Sequence, residues 1–363
     1  MGTQRLGGLL RATGLEQHSE SAVRLFGRML EPWGHRSLTE RPTWPSYIGD
    51  DHTPAELSLT VGGSREARFI VEPLGDRPSL ISNQSAALKL IESLASDFAI
   101  DLGRFNRVRD LFCPADPRGR FTIWIAVAFS ANRQPDFKVY LNPSARGPGQ
   151  ASAVMGEALA RLGFPAAWPG AARTLLGRGP ELDELTYFSL DLSGSPDARV
   201  KVYARHLGAT PEDLERAASL STSYRAGDVI AFLNTMAPGV EMFAGRPPST
   251  CLTFTGGHES LPVAATTHLP INDYAPDDGA VRRRVVQCLG QFGIADAAYT
   301  RAIDSFADRP LERGIGMHSY VSFRRYCGSG RVTAYLALEA YSPGTVEAHP
   351  STAESGIIDL RRG

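Results

Sequence analysis

Five times along the chain an apolar or alternating run is followed by a short polar or glycine-rich turn and then by a second such run. This is the pattern of paired antiparallel strands. Two copies are the most explicit: FTIWIAVAFSANRQPDFKVYLNP at 121–143 and LTYFSLDLSGSPDARVKVYARH at 185–206, each with Lys-Val-Tyr in its second run. The other pairs fall at 55–74 across Gly62-Gly63-Ser64, at 251–254 with 261–270 across Gly256-Gly257, and at 318–326 with 331–339 across Gly328-Ser329-Gly330. Between consecutive pairs the apolar period lengthens to that of helices. It predicts helices at 80–101 and 103–112, 151–162 and 169–176, 210–223 and 224–236, and 279–289 and 295–307. Ser82 or Asn83 is the expected cap of the first, and Pro211 with Glu212 and Asp213 marks the start of another. One more amphipathic helix over 11–31 carries Leu15, Ala22, Leu25, Phe26 and Met29, and the Pro, Trp and Gly-rich stretch at 32–54 reads as an irregular connection covering an opening.

The result is a ββαα unit of roughly 60 residues repeated along the chain. Hairpins joined by helix pairs exclude a doubly wound nucleotide fold, in which single strands alternate with helices. The class is α+β. Ten strands can close into a barrel whose lumen is wide enough for a ligand, or spread as an open sheet, and the spacing is compatible with both. The expected organisation is one domain over 1–363, with an N-terminal helix and covering segment at 1–53, repeats at about 54–340 and a tail at 341–363.

Side chains alternate along a strand, so the Lys and Tyr of each Lys-Val-Tyr share a face that their Val does not. Oriented alike, the two copies place Lys138, Tyr140, Arg199, Lys201 and Tyr203 together. Only three of the 38 basic residues are lysines, and two of them are these, which marks positions that require a compact ammonium. With the other hairpins the shared face gathers Glu56, Arg68, His268, Tyr274 and Tyr335 as well.

Composition narrows the ligand. A formal charge of −1 gives no polyanion-binding surface, so any anion is small and held locally, and no nucleic acid is expected. The four cysteines form no C-x-x-C spacing and read as free thiols of a cytoplasmic protein. No apolar run is long enough to span a membrane. Asp50-Asp51 and Asp277-Asp278 lack the spacing of a metal-binding DDxxD helix, His258-Glu259 lacks the second histidine of a zinc helix, and no phosphate-loop glycine motif occurs. Cations interleaved with tyrosines suit a diphosphate leaving group, and tyrosine faces suit a carbocation formed as it departs. A lone carboxylate such as Glu56 suits an aromatic N–H or O–H.

From about 54 to 338 these motifs resemble the bacterial members of the tryptophan dimethylallyltransferase type of aromatic prenyltransferases, whose fold is the ten-stranded ABBA or PT barrel. Pro54-Ala55-Glu56-Leu57-Ser58 is similar to the family's Pro-x-Glu-x-Ser, which implies that Glu56 binds the indole N–H. Arg68 matches the first diphosphate arginine; Lys138-Val139-Tyr140 and Arg199-Val200-Lys201-Val202-Tyr203 match the strands that grip diphosphate and shield the allyl cation. His268-Leu269-Pro270 with Tyr274 resembles the segment usually reading Tyr-x-Pro, also on the diphosphate side, and Tyr335 resembles the last shielding tyrosine; Tyr274 counts with the shields too. Two departures stand out: histidine at 268, and Trp124-Ile125-Ala126 where fungal relatives carry a lysine as proton acceptor. The second leaves Glu56, an ordered water or the diphosphate as acceptor of the final proton. The resemblance implies dimethylallyl diphosphate as donor, an indole acceptor with L-tryptophan foremost and tryptophan-containing cyclic dipeptides next, no required cofactor, magnesium at most stimulatory, and no obligate protein partner. A binding protein for an anionic amphiphile is the non-enzymatic alternative.

Overall fold

The computed structural model describes residues 1–341 except Pro32, Arg41, Ser64, His258 and Glu259. The expected tail beyond residue 341, Ser64 of the first turn and the His258-Glu259 pair therefore lie outside the described residues. Two helices, α1 (Gly2–Ala12) and α2 (Ser19–Met29), precede five hairpins separated by helix pairs. The order is β1 (Ala55–Val61), β2 (Glu66–Val71), α3 (Leu80–Asp97), α4 (Gly103–Phe112), β3 (Ile123–Ser130), β4 (Asp136–Leu141), α5 (Ala151–Arg161), α6 (Ala167–Leu175), β5 (Asp183–Asp191) and β6 (Val200–His206). It continues with α7 (Pro211–Ala218), α8 (Asp228–Met236), β7 (Ser249–Phe254), β8 (Ala264–Pro270), α9 (Asp278–Gln291), α10 (Ala297–Phe306), β9 (His318–Tyr326) and β10 (Ser329–Ala337).

All ten strands close into one antiparallel barrel, in which β1 lies between β2 and β10. Ser58 of β1 faces Arg68 on one side and Tyr335 on the other, so the open-sheet alternative is excluded by the pairing of the first strand with the last. Closure leaves no unpaired edge. In β3 the alternation sends Ile125, Val127 and Phe129 into the core shared with the helices, whereas Trp124 lines the lumen. The outer layer is held by aromatic contacts such as Phe26 on Phe69 and Phe112 on Phe188, both with ring centroids 4.9 Å apart. Each such pair adds about 0.5–1.5 kcal/mol beyond the area it buries. The β1–β2 turn requires glycine at Gly62, where φ is +93° and a Cβ would lie 2.4 Å from the carbonyl of Gly330.

Two local expectations change. The helix expected at 11–31 is a pair, broken at Gly14 with φ of +70°, and α1 was hidden because Gly7 and Gly8 depress helix propensity. Gly8 sits where a Cβ would meet Ser305 Oγ at 2.7 Å, so close packing on α10 accounts for it. The cap of α3 is Ser79, in a capping box in which Ser82 is the reciprocal partner rather than the cap.

Candidate active site

Strand register sorts the lumen into three layers, visible in the inward positions Glu56, Ser58 and Thr60 of β1 and their β2 partners Ile70, Arg68 and Glu66. The cavity together with its solvent-open mouth encloses about 1060 Å³ of empty space.

At one end lies Glu56, beside Trp124, Tyr187 and Tyr320 and beneath Tyr47 and Ile48 of the connecting segment. That segment is tied down by Glu72, which accepts hydrogen bonds from Trp44 Nε1 at 3.0 Å and Ser46 Oγ at 2.6 Å. Ser319 Oγ donates to Glu56 Oε1 at 2.5 Å. Burial pushes the Glu56 carboxyl up to about 8, the Ser319 hydrogen bond opposing the rise. Nearby, Asp50 and Arg246 form an ion pair.

The middle layer is aromatic. Ring centroids run from Trp124 to Tyr187 at 5.2 Å, Tyr187 to Tyr203 at 5.7 Å, Tyr203 to His268 at 5.8 Å and His268 to Tyr335 at 5.8 Å. Tyr140 joins this belt 6.0 Å from Tyr203. Burial, then the charges of Lys201 and Arg68, push His268 down to about 3, so its ring is neutral near pH 7. Burial raises Tyr335 to about 12, which keeps its phenol protonated as a donor.

Beyond the belt the lumen is cationic. Arg68 pairs with Glu66, while Asp191 sits 3.3 Å from Lys138 Nζ and 2.7 Å from Arg199 Nε. Although burial favours their neutral forms, Arg68 holds Glu66, and Lys138 with Arg199 holds Asp191, well below the usual carboxylate range. Burial, reinforced by Arg199, brings Lys138 down to about 8 even with Asp191 opposing the change. Lys201 is also lowered, by burial and then by Lys138. Among the described residues Lys201 and Arg324 make no ion pair, and both line the cavity. Arg68 Nε and the hydroxyls of Thr253 and Thr266 are buried without a hydrogen-bond partner in the protein. Buried donors are normally satisfied, so this end is built for a polyvalent anion.

The sequence profile of the tryptophan dimethylallyltransferase family matches residues 13–302. The chain belongs to that family. A crystal structure of 6-dimethylallyltryptophan synthase from Micromonospora olivasterospora, in complex with DMASPP and Trp, is 36% identical with a TM-score of 0.87 and covers 93% of this chain and 96% of its own. The 5-dimethylallyltryptophan synthase structure from Streptomyces coelicolor is 30% identical, TM-score 0.86, covering 94% of this chain and 97% of its own. A 7-dimethylallyltryptophan synthase of Aspergillus fumigatus is 23% identical over 360 residues, covering 86% of this chain and 76% of the fungal protein. This chain is an aromatic prenyltransferase of the same barrel type.

In this dimethylallyltransferase the lumen brings together Glu56, Arg68, Tyr140, Lys201, Tyr203, His268 and Tyr335 from the expected set. Lys138 and Arg199 join them through Asp191. Tyr274 does not belong there. It follows β8, packs edge-on against Phe243 at 5.2 Å in the outer core, and donates its hydroxyl to the carbonyl of Arg246 at 2.9 Å. β8 ends at Pro270, so the alternation of its side chains does not extend to Tyr274, which packs outside the barrel lumen. Sequence reasoning missed Glu66, Asp191, Tyr187, Tyr320 and Arg324. Each lies on an inward register position, so carrying the period of two through the full length of β2, β5 and β9 would have reached most of them. No metal-holding cluster of His, Cys, Asp and Glu occurs among the described residues, and no helix there is long and apolar enough to cross a membrane.

Proposed function

We propose that this chain transfers the dimethylallyl group of dimethylallyl diphosphate to the indole ring of L-tryptophan and releases diphosphate. One observation carries the reading: a carboxylate that Ser319 bonds through one oxygen, its other oxygen without a hydrogen-bond partner among the described residues, faces a bank of cations across an aromatic belt in a single lumen. The allylic carbon–oxygen bond breaks with its electron pair leaving on the diphosphate. Lys201, Arg324, Arg68, Lys138 and Arg199 neutralise the charge that develops there, and fixed charges aimed at a developing anion usually lower a barrier more than any other device. The allyl cation then lies among Tyr140, Tyr203, His268 and Tyr335, whose ring faces attract it and exclude water. Glu56 accepts the indole N–H and raises the electron density of the attacking ring. The ring carbon bonds the allyl carbon, and loss of the ring proton to the released diphosphate, an ordered water or Glu56 restores aromaticity.

Metal independence is part of the proposal, because the five basic side chains outnumber the two carboxylates, Glu66 and Asp191, set among them and leave an excess of positive charge for one diphosphate. A cytoplasmic location is part of it too, supported by four cysteines that form no disulfide. The test is incubation with dimethylallyl diphosphate and L-tryptophan in excess EDTA, with the product identified by mass and NMR. Prenylated tryptophan is expected. Diphosphate release no faster than in the absence of protein overturns the reading in favour of a binding protein.

A further inference from the structure

Neighbouring residues of a strand point to opposite faces, and β9 breaks that rule at one place. His318 turns towards the helices, where Nδ1 bonds Asp278 of α9 and Nε2 meets the Tyr299 hydroxyl of α10, both at 2.9 Å. Val321 lies in the same outer core. The two residues between them both turn inward: Tyr320 lines the cavity, and Ser319 bonds Glu56. The cause is a β-bulge. Tyr335 of β10 faces Tyr320, but the next residue, Leu336, faces His318, so Ser319 is the extra residue. Bulges re-aim side chains and gather beside active sites for that reason. Asp278 fixes where this one begins, accepting from the backbone N–H groups of Met317 at 3.1 Å and His318 at 2.9 Å.

We propose that Ser319 is a positioning residue for prenyl transfer: the bulge delivers its hydroxyl to one oxygen of Glu56, which fixes the carboxylate and presents the other oxygen to the acceptor N–H. The proposal rests on the reading of Glu56 as the acceptor's anchor. A donor at this position also favours the ionised carboxylate, the form that accepts the N–H. Among the described residues the charged groups acting on Glu56 are Asp50, which opposes ionisation, and Arg246, which favours it, and these two pair with each other. The phenols of Tyr187, Tyr320 and Tyr335, from β5, β9 and β10, also face Glu56 and titrate above their ordinary range. Among the described residues Ser319 is thus the side-chain hydrogen-bond donor built into the barrel wall for this carboxylate.

The experiment compares wild type, Ser319→Ala, Ser319→Thr and Glu56→Gln on L-tryptophan and on 1-methyl-L-tryptophan across pH. Ser319→Ala is expected to move the acid limb of kcat/KM for tryptophan to higher pH by about one unit, an approximately tenfold loss on that limb. KM for dimethylallyl diphosphate stays unchanged and Ser319→Thr restores most of the loss. With the N-methylated acceptor, which offers no N–H, wild type and Ser319→Ala should give the same rate, and that shared rate also shows that the variant is folded. Equal losses on both acceptors at every pH, or an unmoved acid limb, overturn the proposal. Glu56→Gln separates the two readings: an impaired Glu56→Gln beside a wild-type Ser319→Ala rejects only the role of Ser319, whereas a fully active Glu56→Gln rejects the anchor itself.

Discussion

Asp191 and Lys138 face each other across β4 and β5, with Oδ1 3.3 Å from Nζ. The lysine expected to grip diphosphate is therefore already held by a carboxylate, which also binds Arg199. Lys201 and Arg324 are left as cations with no ion pair among the described residues. Direct grip on the anion and the pre-positioning of that grip fall to different side chains.

Asp191→Asn should therefore weaken donor binding in a pH-dependent way. Asp191 raises the pKa of Lys138, which stands at about 8 with it present. Without it the ammonium loses its proton at lower pH. KM for dimethylallyl diphosphate is expected to rise at and above pH 8, with a smaller rise well below that value, where Lys138 is charged in either protein. Initial rates at two pH values check this, and an equal rise at both contradicts it.

Lys201→Ala and Arg324→Gln should each cost more in donor use than Lys138→Ala. A charge-assisted hydrogen bond contributes about 1.5–3 kcal/mol, which corresponds to a loss of roughly ten- to a hundredfold. The readout is kcat/KM for the diphosphate at fixed tryptophan. Both variants matching wild type would show that the anion lies elsewhere.

Binding of the donor should take up protons. Burial and neighbouring cations hold Lys138 and Lys201 below the ordinary lysine range, and a bound diphosphate raises both again. Calorimetry at pH 8 in buffers of different ionisation enthalpy should give an apparent enthalpy that depends on the buffer in the sense of uptake. Release, or no buffer dependence, runs against the expectation.

Much of this arrangement is legible in the chain. Five strand pairs and four double-helical intervals follow from changes of apolar period, and the Lys-Val-Tyr repeats point to the inward face. What was not legible depends on partners distant in sequence. Glu56 meets Ser319 only because the barrel closes, and Ser319 points inward only because of a bulge that no local pattern announces. Tyr274 misled for the opposite reason, since its proximity to His268 in sequence crosses the end of a strand.

Tyr274→Phe tests that correction. The substitution removes the hydrogen bond to the Arg246 carbonyl, so stability should fall by about 1 kcal/mol while kcat and both KM values stay near wild type. A large loss in donor KM would return Tyr274 to the site.

Glu56→Gln should trade activity for stability. The folded-state pKa of Glu56 is raised to about 8 from an ordinary 4.5, so the folded protein binds the extra proton between those values and its stability declines as pH rises through them. Glutamine removes that decline. The variant should melt higher than wild type at pH 8 and similarly near pH 4.5, while tryptophan prenylation slows. Thermal melts of the substrate-free proteins decide it, and a variant less stable at alkaline pH would contradict the assignment.

The division of one lumen into an acceptor end and a diphosphate end, separated by aromatic rings, is tested most directly by a crystal structure with tryptophan and a thiolodiphosphate analogue of the donor. The predicted complex has the indole N–H on the oxygen of Glu56 that Ser319 does not bond and the diphosphate oxygens within hydrogen-bond reach of Lys201 and Arg324, with the prenyl chain between Tyr203, His268 and Tyr335. A diphosphate bound outside the barrel, or an indole seated among the cations with Glu56 uncontacted, would contradict it.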